Sequence, residues 1–125
     1  MIQTLIGWGP AALWAVVLFF LSETQPDSDS AWLAINDKVI HLGLYLVLGG
    51  TLSWGEWKAR WNFPALLLLL GGAYGVLDEW HQSFVPGRDP SLGDVLADTA
   101  GVILGFFIIR LYLQAHDSGP KAESN

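Results

Sequence analysis

Residues 92–113, LGDVLADTAGVILGFFIIRLYL, carry charge only at Asp94 and Asp98 near one end and Arg110 near the other. Everything between is apolar or small. Ser91 and Asp94 form the Ser-x-x-Asp pattern of a capped helix start, placing the first residues of the run at a helix N-terminus. A bilayer's hydrocarbon core is about 30 Å thick, and a helix rising about 1.5 Å per residue needs roughly 20 apolar residues to cross it. The stretch therefore reads as a membrane span with its two carboxylates at the membrane boundary.

Three further runs repeat the pattern, at about 5–21, 35–54 and 63–80. The first, Leu5 to Leu21, is bounded by Ser22, Glu23, Thr24, Gln25 and Pro26, and would cover roughly 25 Å as a helix. No Lys or Arg precedes it and no small-x-small cleavage pattern follows, so it is expected to be retained rather than removed as a signal peptide. Asn36 is a candidate cap for the second run, and Pro64 suits the first turn of the third. The expected fold is all-α: a polytopic four-transmembrane-helix bundle forming a single domain over 1–113, with residues 114–125 a flexible polar tail.

Composition agrees. Apolar residues make up 52% of the 125-residue chain and charged residues only 14%, a balance that a small water-soluble fold has too much surface to hide. The net charge of -6 leaves no basic stripe for phosphate backbones, so no nucleic-acid partner is expected. The absence of cysteine excludes disulfides, thiolate metal sites and cysteine nucleophiles.

Cations set the expected direction. Lys58 and Arg60 lie between the second and third runs, and Arg110 and Lys121 flank the fourth on the same side; Lys38 and Arg88 lie opposite, beside the acidic loop from Ser22 to Asn36. This bias favours both termini in the cytoplasm. Trp54, Trp57 and Trp61 would form the inner aromatic belt, with Trp32 and Trp80 at the outer boundary.

Ionisable groups are costly inside a membrane, at about 2.5–3.5 kcal/mol each on insertion scales, so their positions carry information. Six of the twelve acids (Asp37, Asp78, Glu79, Asp89, Asp94, Asp98) and two of the three histidines (His41, His81) converge on the expected outer end, with Lys38, Gln82 and Arg88. Asp37 and His41 are separated by about 40° of helical rotation, with Tyr45 one turn deeper. Gly71, Gly75, Asp78 and Gln82 share one face of the third helix, with Glu79 at its edge. Asp94, Asp98, Gly101 and Gly105 share one face of the fourth. The pairs Gly71–Gly75 and Gly101–Gly105 have the small-x-x-x-small spacing that lets membrane helices approach, within the bundle or between copies of an oligomer.

Structural readings stand beside the functional one. Asp94 can serve only as a cap and dipole partner, Asp37 can favour a helix start, and Lys38 and Arg88 can snorkel or pair with nearby acids. His81 and Asp89 read as solvated. His41 and Asp98 lie a turn further into the membrane, where a functional role is the default.

The strings Asp37-Lys38-x-x-His41-x-x-x-Tyr45, Glu79-x-x-Gln82-x-x-x-Pro86-Gly87-Arg88 and Asp94-x-x-x-Asp98-x-x-Gly101-x-x-x-Gly105, in that order across positions 36–106, resemble the VanZ-like family of bacterial membrane proteins. The resemblance implies a multi-pass protein of the bacterial cytoplasmic membrane, in a family whose name-giving member is associated with resistance to the glycopeptide teicoplanin. Two positions depart from the pattern: Asp98 stands where Asn is usual, and Asp78 where an apolar residue is usual. Both add negative charge.

The expected function is an outward-facing polar pocket that binds or acts on an envelope lipid, a glycopeptide or a lipid-linked ligand, within the lipid bilayer. In the enzymatic alternative, a hydrolase or transferase, Lys38 and Arg88 hold an anionic group, His41 is general base, and Glu79 with Asp94 supplies acid or metal-ligand function. Asp94 is expected to face the same pocket as His41 and Arg88, and Gln82, Asp37, Asp98 and Tyr45 complete the binding set. A proton- or ion-coupled transporter is a second alternative. A divalent metal is compatible with His and carboxylates, but no His-Glu-x-x-His or similar motif announces one, and no cofactor is assigned.

Overall fold

A computed structural model of the chain describes residues 1–23 and 31–117, with side chains at all of them except 31–35. The described residues form four helices and no strand: α1 (Ile2–Ser22), α2 (Ala31–Ala59), α3 (Pro64–Gln82) and α4 (Leu92–Asp117). The all-helical class and the helix count are those expected from sequence.

The helix ends follow from local chemistry. Pro64 occupies the first turn of α3, where its missing N–H costs nothing. Asn36 does not cap α2, which begins at Ala31 and carries Asn36 inside its second turn. The C-terminus of α2 also lies beyond Trp54, because Gly55 to Ala59 continue the helix while no longer continuing the apolar run. There Arg60 adopts φ 58°, its N–H donating to Trp57 O (3.3 Å) and the Trp61 N–H to Glu56 O (3.0 Å). This is a Schellman cap with arginine where glycine is usual. The last helix continues to Asp117, so residues 114–117 are helical; the expectation of a flexible tail otherwise falls on 118–125, outside the described residues. Loop positions 24–30 and the Trp32 side chain also lie outside them.

The largest interface joins α2 to α4, which run in the same direction: Lys38 meets Asp94 near their starts and Glu56 meets Arg110 towards their ends. Glycine makes the approach close. A methyl group at Gly105 would run into the carbonyl of Leu46, one at Gly101 would meet the backbone of Leu42 and Leu46, and one at Gly49 would meet that of Val102. Gly71 and Gly75 on α3 receive the side chains of Val102 and Asp98. Antiparallel to α2, α1 packs through Gly7 and Gly55, with the Trp8 ring over Gly55. Leu18, Tyr45, Leu48 and Val102 form the apolar centre.

Polarity is distributed inside-out. His41, Ser53, Glu56, Asp78, Glu79, Gln82, Asp94 and Asp98 are buried, while Leu5, Leu13, Phe20, Leu69, Leu77, Leu104 and Leu111 are exposed. Water would penalise that apolar surface at about 25 cal/mol per Å². By length and composition, α1 and α4 are apolar enough to cross a membrane; α2 and α3, which carry most of the charged site, are not by the same measure.

Candidate functional site

The site is built where the starts of α2 and α4 meet the ends of α1 and α3. On α2, Asp37 and His41 stand one turn apart, with His41 Nε2 3.7 Å from Asp37 Oδ1. The other ring nitrogen, Nδ1, lies 2.7 Å from Asp98 Oδ1 on α4. Both ring nitrogens thus face a carboxyl group, Nδ1 that of Asp98 and Nε2 that of Asp37. Asp98 is fully buried, and its Oδ2 has no hydrogen-bond partner.

One turn deeper, the Tyr45 hydroxyl donates to Asp78 Oδ2 (3.0 Å), and Gln82 Nε2 approaches the same oxygen at 3.4 Å. Thus Asp78, the extra carboxylate of α3, is held by a tyrosine of α2.

The start of α4 is capped through two helices. Ser91 Oγ accepts the Asp94 N–H (3.1 Å), as the Ser-x-x-Asp pattern predicts. In a capping box the acidic residue three positions on would take the Ser91 N–H. Here Glu79 of α3 takes it instead, through Oε2 at 3.1 Å, while Asp94 Oδ1 pairs with Lys38 Nζ at 3.0 Å. Glu79 Oε1 is buried and has no partner. The cap reading of this segment therefore holds for Ser91, whereas Asp94 spends its carboxylate on α2.

Arg88 arrives from the α3–α4 loop. Val85, Pro86, Gly87 and Arg88 form a turn closed by the Arg88 N–H to Val85 O (3.2 Å), with Gly87 at φ 81°, the type II geometry that Pro-Gly favours. The turn brings Arg88 Nη1 to 3.9 Å from Asp37 Oδ1 and Nη2 to 3.4 Å from the Ser22 carbonyl of α1. Its Nε is buried without a partner.

These residues enclose a cavity of about 350 Å³. Asp37, His41, Tyr45, Asp78, Gln82 and Arg88 supply its polar lining, and Leu18, Leu21, Ile40 and Leu44 its apolar lining. The expected constellation is therefore divided. His41, Arg88, Gln82, Asp37 and Tyr45 line the cavity; Glu79, Asp94, Asp98 and Lys38 stand behind that lining, around the starting turns of α4. Asp94, expected in the pocket with His41 and Arg88, stands behind the lining with an oxygen within 4.8 Å of a His41 ring nitrogen, and Asp98 makes the hydrogen bond to His41. The reason is the Lys38 ammonium, which draws Asp94 to the α2–α4 seam.

Sequence reading also missed the contribution of α1. Leu18, Leu21 and Ser22 carry no charge to attract notice, yet they close one side. His81, read as solvated, accepts or donates at Nδ1 with Ser22 Oγ (3.1 Å) and stacks on Phe19 with ring centres 4.7 Å apart, tying α3 to α1. Asp89 is exposed, as expected. At the opposite end of the bundle, Glu56 Oε2 pairs with Arg110 Nη1 at 2.9 Å and Glu56 Oε1 accepts the Phe63 N–H at 2.8 Å.

Two overlapping groups offer metal-ligand atoms within 4.8 Å of one another: Asp37, His41 and Asp94; and His41, Glu79 and Asp98. Chemically, the site combines an imidazole oriented by a buried carboxyl group, a guanidinium and apolar side chains in one lining.

A family model described as VanZ/LLP1 matches residues 8–113, a range that takes in every one of these side chains. No curated protein and no solved structure matches the chain.

Proposed function

The chain belongs to the VanZ/LLP1 family, and from that premise we propose that it is a four-span protein of the bacterial cytoplasmic membrane whose cavity binds an anionic, lipid-linked envelope ligand at the outer leaflet. The observation that carries the reading is the mixed lining of the cavity: Arg88 and His41 together with Leu18, Leu21, Ile40 and Leu44. A guanidinium suits a phosphate or carboxylate head group, and the apolar side chains suit the first carbons of its lipid chain. The exposed apolar surface of all four helices supports insertion of the whole bundle, with α2 and α3 hiding their charged faces against one another and α4. Both termini then lie in the cytoplasm, by the distribution of Lys and Arg.

The test is retention of a polyprenyl phosphate by the detergent-purified protein, read by native mass spectrometry against the neutral polyprenol. Wild type should hold the phosphate at least about 10-fold better, and Arg88→Gln should erase the difference. Equal retention of phosphate and alcohol would count against the reading. Teicoplanin added as competitor places the glycopeptide expectation in the same assay.

A hydrolase or transferase acting on the same substrate class is the second reading, favoured by the His41–Asp98 arrangement, in which a buried carboxyl group orients an imidazole of the cavity lining as a candidate general base. Release of phosphate or head group by wild type, lost in His41→Gln with ligand retention intact, would select it over simple binding.

A further inference from the structure

Behind the cavity wall, the structure holds an excess of buried negative charge that its own cations do not match. The buried Asp78, Glu79, Asp94 and Asp98 and the half-exposed Asp37 face Lys38, Arg88 and the His41 ring at this end of the described bundle. Lys38 is spent on Asp94, and Arg88 lies nearest Asp37. Glu79, at 5% exposure, pairs with no Lys or Arg among the described residues, Asp98, at 0% exposure, meets the His41 ring at 2.7 Å, and each retains a carboxylate oxygen with no hydrogen-bond partner, Glu79 Oε1 and Asp98 Oδ2. Unpaired buried carboxylate oxygens are expensive, and natural folds seldom keep two together without a donor or a cation beside them. A ring nitrogen of His41 and one oxygen from each of these two acids lie within 4.8 Å of one another, contributed by three different helices.

We infer that His41, Glu79 and Asp98 form a binding site for one borderline divalent cation of the zinc or manganese kind. Two carboxylates supply the compensating charge. An imidazole donor favours a borderline ion over calcium or magnesium, and three protein ligands leave a coordination position for water or another group. A shared proton now joins His41 Nδ1 to Asp98 Oδ1; an ion bound among the three takes its place, so binding releases that proton. Glu79 can contribute Oε1 while Oε2 keeps the Ser91 N–H, so the α4 cap survives occupancy. Gly75 is what admits Asp98 to this position: a methyl there would stand 3.0 Å from Asp98 Cβ. The site does not depend on the lipid-linked ligand proposed above, and its test uses metal alone.

Detergent-purified wild type, stripped with EDTA and re-exposed to Zn²⁺, Mn²⁺, Ca²⁺ or Mg²⁺ separately, is passed through a desalting column and measured for bound metal and thermal midpoint. The expected result is about one Zn²⁺ or Mn²⁺ per chain and a Tm rise of roughly 5 °C, with neither change for Ca²⁺ or Mg²⁺. Glu79→Gln and Asp98→Asn should weaken binding at least about 10-fold, while Asp37→Asn changes it less than about 3-fold. Absence of both retained metal and a Tm rise in wild type overturns the proposal, whatever the variants do. So does full retention in Glu79→Gln, or loss in Asp37→Asn alone, which would move the ion to the group containing Asp37 and Asp94. Should a variant fail to purify as a single species, the wild-type measurement decides alone.

Discussion

His41 Nδ1 and Asp98 Oδ1 meet at 2.7 Å across the α2–α4 interface, where Asp98 is wholly shielded from solvent. The contact joins the polar cavity wall to the packed glycine seam one turn below it. An amide can accept the same proton, so Asp98→Asn should leave folded yield unchanged and Tm within a few degrees in metal-free detergent. Asp98→Ala removes the acceptor and strands the buried His41 N–H. It should cost about 1–3 kcal/mol in reversible unfolding. Equal loss from both substitutions would mean that the charge, rather than the hydrogen bond, holds the two helices together.

The glycine seam gives a sharper contrast. Gly105→Ala drives a methyl into the Leu46 carbonyl, which is backbone and cannot step aside, so α2 and α4 must separate. A loss of about 1–3 kcal/mol is expected, with displacement of the Lys38–Asp94 and His41–Asp98 contacts that lie along the same interface. Gly43→Ala, with open space around it, should instead gain about 0.5–1 kcal/mol through helix propensity. Thermal unfolding of the two variants side by side checks both signs.

At the other end of α2, Arg60 sits at φ 58° inside a Schellman cap. A side chain there costs about 1–2 kcal/mol that glycine does not pay. Arg60→Gly should therefore stabilise the protein by roughly 1 kcal/mol, read as a higher Tm. A lower Tm would show that the arginine side chain makes an offsetting interaction at the membrane surface.

Glu56 and Arg110 form a pair that sequence reading did not see, because Arg110 had been accounted for as a flanking cation and Glu56 stood among tryptophans. Removing Arg110 alone, as Arg110→Leu, leaves a carboxylate at 5% exposure with only the Phe63 N–H, and should cost about 3 kcal/mol. Adding Glu56→Gln removes the stranded charge while keeping an acceptor for Phe63. The double variant should recover part of the loss, and a double-mutant cycle on unfolding midpoints measures how much.

What the sequence made legible followed one physical rule. Charges in apolar helices are costly, so Asp37, His41, Glu79, Asp94 and Asp98 stood out, and helical rotation put Asp37 with His41 and Asp94 with Asp98. Which charge meets which across helices was not legible. Rotation on one helix says nothing about register against another, so it was not legible that Asp98 makes the hydrogen bond to His41 while Asp94, with an oxygen also within 4.8 Å of a ring nitrogen, pairs with Lys38. The uncharged wall from α1 left no mark at all, and hydropathy placed the end of α2 at Trp54 because it tracks apolar length rather than helix length.

Orientation is the prediction on which the location of any ligand rests. Lys58, Arg60 and Arg110 gather at the end of the bundle that also holds Trp8, Trp54, Trp57 and Trp61; Lys58 lies 5.0 Å from the ring centres of both Trp54 and Trp57. Lys38 and Arg88 occupy the opposite end, and each stands against a carboxylate, Asp94 and Asp37. Arg110 is likewise paired, with Glu56, but Lys and Arg set orientation whatever acids they meet, and three against two favours a cytoplasmic tryptophan end and an external cavity. The chain has no cysteine, and single substitutions give clean reporters. Ser83 follows α3 at the cavity end and Asn62 lies between α2 and α3, both exposed. On intact cells, Ser83→Cys should react with a membrane-impermeant maleimide and Asn62→Cys only after permeabilisation. The reverse pattern would turn the bundle over, open the cavity to the cytoplasmic leaflet, and remove the outer-leaflet ligand from consideration while leaving the His41–Glu79–Asp98 site to be judged by its metal.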